Sequence, residues 1–427
     1  MTHLPIANLR KRAGRFASLF CTAIVLFAEP SNSTELSREV TVGGLGYAQF
    51  LFFISVEPTG HENDPAFVRF REKIETNLLW SGLYRRTEDS RSSDVVVELK
   101  YLPNQKIEAH IDSKWGRRFV TFEETLLDNQ SDVLQNVVDR VVYHLTGERS
   151  HLGNAIVYVE KGDFPGYRIV LTDLFGKSRR VLVDDGNLNI LPRWKPDSTS
   201  VLFTSLGKSG SRLKQFDFLD NQTKTFLSSR HKLSGGTWGR NNEIIITMAE
   251  DGNSDLYRID RSGNILERLT SRTSTESNPR WSPDGKRLLF ISNRSGSIQI
   301  YQRMMETGEV HRMTYEGGTN VEPNWSSNGA YIVFAGLRNG RYRIFLMDRE
   351  GEQVRQITDG SHSSEQPVWA PSGRQILFAS KSGYESKLYL MNADGSGKRR
   401  VTQSGPGINE FNPTWTANFQ WPSDPDH

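Results

Sequence analysis

The chain has 427 residues, 36 % of them apolar and 24 % charged, with 53 basic against 50 acidic side chains. This composition excludes a disordered, collagenous or disulfide-rich chain, and the length is enough for at least two domains. The slight basic excess sits in the first residues, which weakens a nucleic-acid role, because phosphate binding needs a net or clustered positive field.

Arg10, Lys11, Arg12 and Arg15 form a basic leader, and Phe16–Ala28 is an apolar run too short to span a bilayer. Together they predict a secretory signal over 1–33, cleaved after Ser33, with Ala28 as the alternative site. Its removal leaves as many basic as acidic residues. The single cysteine, Cys21, lies inside the apolar run rather than after it, which argues against a lipidated cysteine. The mature chain then carries no thiol, which excludes a disulfide or a cysteine nucleophile and suits a soluble periplasmic or secreted protein.

Residues 34–150 predict a small α+β domain in the order β-α-β-β-β-α. Val40–Val56 is apolar and aromatic with glycines, enough for one or two strands. A helix follows, with Asp64 as cap and Pro65 in its first turn. Phe67, Phe70, Ile74 and Leu78 lie on one face, and Gly82 ends it. Asp94–Leu102, Lys106–Asp112 and Arg117–Glu123 read as strands. A second helix near 131–145 would bury Leu134, Val137, Val138, Val141 and Leu145, before a joint at Leu145–Ser150.

Residues 151–427 change character. A Trp stands at 194, 238, 281, 325, 369 and 415, in steps of 44, 43, 44, 44 and 46 residues. Pro192, Pro279, Pro323, Pro367 and Pro413 precede five of them by two, and Gly236 takes that place before Trp238. Between Trps the sequence alternates strand-length runs with Gly-bearing turns, as in Pro279-Arg-Trp-Ser-Pro-Asp-Gly285 followed by Arg287–Asn293, Ser297–Met304 and Glu309–Thr314. A period near 44 residues with this content predicts four-stranded propeller blades. Three strands precede the first Trp strand (Ala155–Glu160, Tyr167–Asp173, Arg179–Val183), and a lone Trp strand, Glu410–Thr416, ends the array. Joined, they predict a six-bladed all-β propeller whose last blade is closed by both ends, hiding the edges an open array would expose. The Trps read as packing between blades.

The search for chemistry finds little. No two of the nine histidines have metal-ligand spacing, and neither a Gly-x-Ser-x-Gly elbow nor a hydrolase segment is present. Gly395-Ser-Gly-Lys398 is followed by Arg399, so it reads as a turn rather than a phosphate loop. The suggestive side chains precede each Trp strand: Glu276, Asn278, Asn320, Glu322, Glu365, Gln366, Asn409, Glu410 and Asn412, and more loosely Asn187 and Asn189. In a propeller these segments rim one mouth of the channel. Four carboxylates converging there would repel unless a Ca²⁺-class ion or a partner's basic group sat among them; the bland alternative is solvated or turn-capping groups.

The Pro-x-Trp-Ser-Pro-Asp-Gly repeat, the signal, the split blade and the junction Leu145-Thr-Gly-Glu-Arg-Ser-His-Leu-Gly-Asn-Ala-Ile-Val-Tyr-Val159 together resemble the TolB family. That family belongs to the Tol–Pal envelope system of Gram-negative bacteria. The resemblance implies a non-enzymatic periplasmic scaffold that supports outer-membrane integrity and constriction at division. It implies that the propeller mouth binds the lipoprotein Pal, with Glu276, Asn278, Asn320, Glu322, Glu365, Asn409 and Glu410 at the contact. It also implies engagement of TolA by the mature amino terminus, over Thr34–Gly46. The alternative is a secreted propeller that binds or hydrolyses glycan or peptide at the channel mouth, although no acid–base carboxylate pair with separated environments is visible.

Overall fold

A computed structural model describes residues 50–57, 63–81, 84–102, 106–113, 120–125, 137–139, 141–142, 154–239, 242–250, 252–270, 273–417 and 419. The expected signal, Thr34–Gly46 and the joint Leu145–Ser150 lie outside the described residues.

The amino-terminal elements are β1 (Phe50–Glu57), α1 (Pro65–Trp80), β2 (Tyr84–Arg86), β3 (Val95–Leu102), β4 (Lys106–Ser113) and β5 (Val120–Thr125). They form one sheet in the order β2-β1-β3-β4-β5, with β1 parallel to both neighbours and the others antiparallel. The helix starts where the sequence indicates. Pro65 fits the first turn because its missing N–H would have no helical partner there, and Val68 N–H closes onto the Asp64 carbonyl at 2.9 Å. Phe67, Phe70, Ile74 and Leu78 are fully buried and share a core with Val95, Val97 and Leu99 from the inward face of β3. The strand β2 is not anticipated by the sequence: three residues carry no alternation to read, and pairing with β1 alone makes it a strand. Of the second helix, residues 137–139 and 141–142 are helical, and Val137, Val138 and Val141 are buried; Leu134 and Leu145 lie outside the described residues.

From residue 155 the chain is all-β and propeller-like. Six four-stranded sheets follow, each antiparallel with neighbouring strands paired. Each begins with a Trp strand: Leu188–Trp194, Lys232–Trp238, Glu276–Trp281, Thr319–Trp325, Ser363–Trp369 and Asn409–Thr416. The sixth sheet is assembled from both ends. Asn409–Thr416 pairs with Ala155–Lys161, matching Trp415 to Ile156 and Phe411 to Val159, and Arg168–Asp173 and Arg180–Val183 complete it. The outermost strands are shorter than the sequence suggests: Val310–Arg312, Arg355–Gln356 and Arg399–Arg400. They stand last in their sheets, and short edges rich in Arg resist pairing with other chains.

Apolar packing between sheets explains the Trp period. Trp194 packs with Val183, Val157 and Phe203; Trp238 with Leu202 and Leu213; Trp325 with Leu289 and Ile300. Trp369 packs with Val333 and Ile344, and Trp415 shares a cluster with Leu377 and Leu388. Trp281, only partly buried, packs against a cluster containing Ile245 and Leu256. Each Trp thus reaches the sheet before its own, and the Trp of the sixth sheet reaches the fifth. At roughly 25 cal/mol per Å² of buried apolar surface, each ring is a main contributor to its junction.

Candidate functional site: the channel between the Trp strands

Every Trp strand carries the same local distortion. Three residues before the Trp the backbone turns left-handed: Leu191 (φ 55°), Gly235 (φ 71°), Asn278 (φ 56°), Glu322 (φ 56°), Gln366 (φ 57°) and Asn412 (φ 49°). At the same place the pairing register slips. This is a β-bulge, and the Pro that follows in five repeats suits it because a proline cannot donate to the ladder. The second repeat uses Gly235-Gly236 instead; a Cβ on Gly235 would meet Leu191 Cδ1 at 3.2 Å.

The bulge divides the expected site residues into two groups. A one-residue insertion shifts strand alternation, so positions of equal parity on its two sides no longer share a face. Glu276, Asn320 and Glu410, five residues before their Trps, are turned inward with no exposed surface. Glu276 accepts from Ser274 Oγ (2.6 Å) and Ser292 Oγ (2.7 Å) and is paired with Arg294 at 3.0 Å. Burial alone would raise its pKa, but those partners outweigh it and hold the carboxyl below its ordinary value. Glu410 accepts from Leu388 N–H at 3.0 Å and from the Thr402 hydroxyl. Asn320 donates to Gln299 Oε1 and to the Glu316 carbonyl, both at 2.8 Å. These three brace the sheets and offer nothing to a partner directly.

The second group lines the channel. Leu191, Asn278, Glu322, Gln366 and Asn412 border one narrow neck. Side chains there latch neighbouring sheets: Gln366 N–H donates to Glu322 Oε2 (2.6 Å), Asn412 N–H to Gln366 Oε1 (2.7 Å) and Leu191 N–H to Asn412 Oδ1 (3.3 Å). The last bond ties the sixth sheet to the first. Enclosure by the wall raises the Glu322 carboxyl to about 7; the Gln366 N–H opposes that rise, Glu365 adds to it, and Arg280 opposes it. Glu365, itself partly buried, accepts from Ser363 Oγ at 2.8 Å, and Asn409 Oδ1 accepts from Ser386 N–H at 2.9 Å. Asn187 and Asn189 brace their own loop through Asp185.

The four carboxylates therefore do not converge. Of the four, only Glu322 and Glu365 act on each other, and Arg280 acts on Glu322, while Glu276 and Glu410 are engaged within their own sheets. Among the described residues no group of three or more His, Cys, Asp or Glu is placed to hold a metal ion. A Ca²⁺-class ion, expected where several carboxylates meet, therefore finds no such cluster among the described residues, and Arg280 already acts on Glu322.

Sequence reasoning missed the arginines that stand one residue before two of the Trps. Arg193 and Arg280 border both the neck and a larger cavity of about 250 Å³, the latter lined also by Trp194, Trp238, Trp281 and Trp325. The signal was the repeat itself: aligning the residue before each Trp gives Arg193, Thr237, Arg280, Asn324, Val368 and Thr414, a mostly polar column inside an apolar frame.

Repeated four-stranded antiparallel sheets, each opening on a bulged Trp strand beside a common channel, define a protein of the propeller class. The TolB beta propeller domain matches residues 142–418, more than half of the chain, and the chain belongs to that family. It is 31 % identical over 166 residues to a Protein TolB homolog of Chlorobium luteolum, covering 39 % of this chain and 37 % of that protein. It is 27 % identical over 145 residues to the Tol-Pal system protein TolB of Anaeromyxobacter dehalogenans, covering 34 % and 33 %. The aligned stretches thus span about a third of the relatives' own length. In fold, the chain superposes on the crystal structure of TolB from Acinetobacter baumannii with a TM-score of 0.72, at 20 % identity, over 86 % of this chain and 97 % of the other. Among the described residues no helix is long and apolar enough to cross a membrane.

Proposed function

We propose that this chain is a non-enzymatic component of a Tol–Pal-type envelope system, acting in the periplasm after removal of residues 1–33. Its parts would be a small domain over 34–150 and a six-bladed closed propeller over 151–427. The ring is supported by the six sheets, by the sixth sheet's two-ended pairing and by the Asn412–Leu191 latch. The observation that carries the functional reading is the family match over 142–418, joined by relatives bearing the TolB name.

The partner proposed for the mouth ahead of the Trp strands is the lipoprotein Pal, and the role is upkeep of the outer membrane and its constriction at division. Asn278, Glu322, Glu365 and Asn409 stay partly accessible there and are the contact candidates. Glu276, Asn320 and Glu410 act by holding the loops that present them. TolA engagement through Thr34–Gly46 belongs to the same proposal. Co-purification with Pal from the same organism tests it. Retention of Pal is expected, weakened in an Asn278→Ala/Glu365→Ala variant that keeps its melting temperature. No retention by the parent chain would remove Pal as the partner, and unchanged retention by the variant would move the contact elsewhere. Glycan capture without Pal would favour the alternative of a secreted glycan- or peptide-binding propeller.

A further inference from the structure

The cavity of about 250 Å³ opens at the other end of the channel, among residues that follow the Trps, including Pro196, Pro283, Ser326 and Ser327. Its wall holds two guanidiniums. Arg280 is 8 % exposed, and its one hydrogen bond among the described residues runs from Nε to the Pro323 carbonyl at 3.3 Å. Arg193 donates through Nη1 to its neighbour's carbonyl, Pro192 O, at 2.6 Å. Neither has a carboxylate within ion-pair distance among the described residues, although both lie inside the fold. A buried guanidinium with most of its N–H groups unspent is costly unless an anion meets it.

The local charges sharpen this. The rim carboxylates are already engaged: Asp197 by Lys195 Nζ at 2.6 Å, and Asp284 by Ser282 Oγ at 2.5 Å and Lys286 N–H at 3.0 Å. Among the described residues the acid that acts on Arg280 is Glu322, which attracts it from the neck. Two guanidiniums against one carboxyl whose pKa is itself held at about 7 leave a net positive charge near neutral pH, which a planar carboxylate suits in both charge and shape. Thr237, Asn324 and Thr414 add neutral polar groups to the same wall.

We infer that the mouth beyond the Trp strands is a carboxylate-binding pocket, in which Arg193 and Arg280 clamp the anion of a small organic acid or of a peptide's free terminus. The pocket lies at the opposite end of the channel from the proposed Pal contact and does not depend on it.

Calorimetric titration of the mature protein with propionate, triglycine, triglycinamide and inorganic phosphate tests the inference, with indole fluorescence as a second signal from the lining Trps. Saturable binding of propionate or triglycine is expected, weakened at least tenfold in Arg193→Gln and Arg280→Gln. Arg193 is only partly buried, so its variant remains informative if Arg280→Gln fails to fold. Triglycine binding without triglycinamide binding would identify a chain terminus as the ligand, and propionate binding alone a free acid. Phosphate binding tighter than either carboxylate, no saturation by either, or unchanged affinity in Arg193→Gln would overturn the inference.

Discussion

Replacing Glu322 by Gln isolates a carboxyl that the fold holds well above its ordinary pKa. Its pKa is raised from 4.5 to about 7, first by loss of water in the neck and then by Glu365, against the pull of Gln366 N–H and Arg280. An acid raised in the folded state stabilises the fold fully below its unfolded pKa, and that contribution is lost as the pH climbs through the folded value. The window is therefore pH 4.5 to 7, and the stake is about 3 kcal/mol at about 1.4 kcal/mol per tenfold. Glutamine keeps an oxygen to accept from Gln366 N–H and cannot ionise. The variant should match the parent near pH 4.5 and exceed it by up to about 3 kcal/mol above pH 7.5. Urea denaturation of both proteins at several pH values measures this. A stability gap that stays constant from pH 4.5 to 8 would refute the reasoning, because the neck would then not be carrying a strained carboxylate.

Two other changes probe the brace and the ring. Glu276→Ala strands Ser274, Ser292 and Arg294 in a buried place and should cost about 3–5 kcal/mol, read as a lowered melting temperature; a neutral outcome would show that the carboxylate is not a brace. Lys161 and Asn409 are register partners in the sixth sheet, so a Lys161→Cys/Asn409→Cys pair should oxidise to a disulfide, since opposed strand residues bring their Cα atoms within bridging range. Peptide mass mapping reads the link; free thiols under the same oxidant would contradict pairing of the two ends.

Much of the architecture was legible because it repeats. Period-44 Trps, turn chemistry and the unmatched fragments near Ile156 and Trp415 each indicate the same assembly, and the helix at Pro65 carries its own start signal and apolar face. The channel was less legible. Glu276 and Asn278 look alike two residues apart, yet the left-handed residue at the bulge sends one between sheets and the other toward the neck. That turn cannot be read from alternation, and in the repeats with Leu191, Glu322 and Gln366 the residue type does not favour it either. Arg193 and Arg280 looked like ordinary charged strand residues. What sets them apart is enclosure, which arises only when distant repeats surround one axis.

The proposed partner face is tested most directly by photo-crosslinking from its two sides. A benzophenone side chain in place of Glu316, an exposed residue in the loop ahead of the Trp325 strand, is compared with one in place of Pro283, exposed beyond Trp281. Irradiated with Pal, the first protein should give a Pal adduct and the second none. An adduct from the Pro283 position alone, or from neither, would contradict a Pal-binding face ahead of the Trp strands.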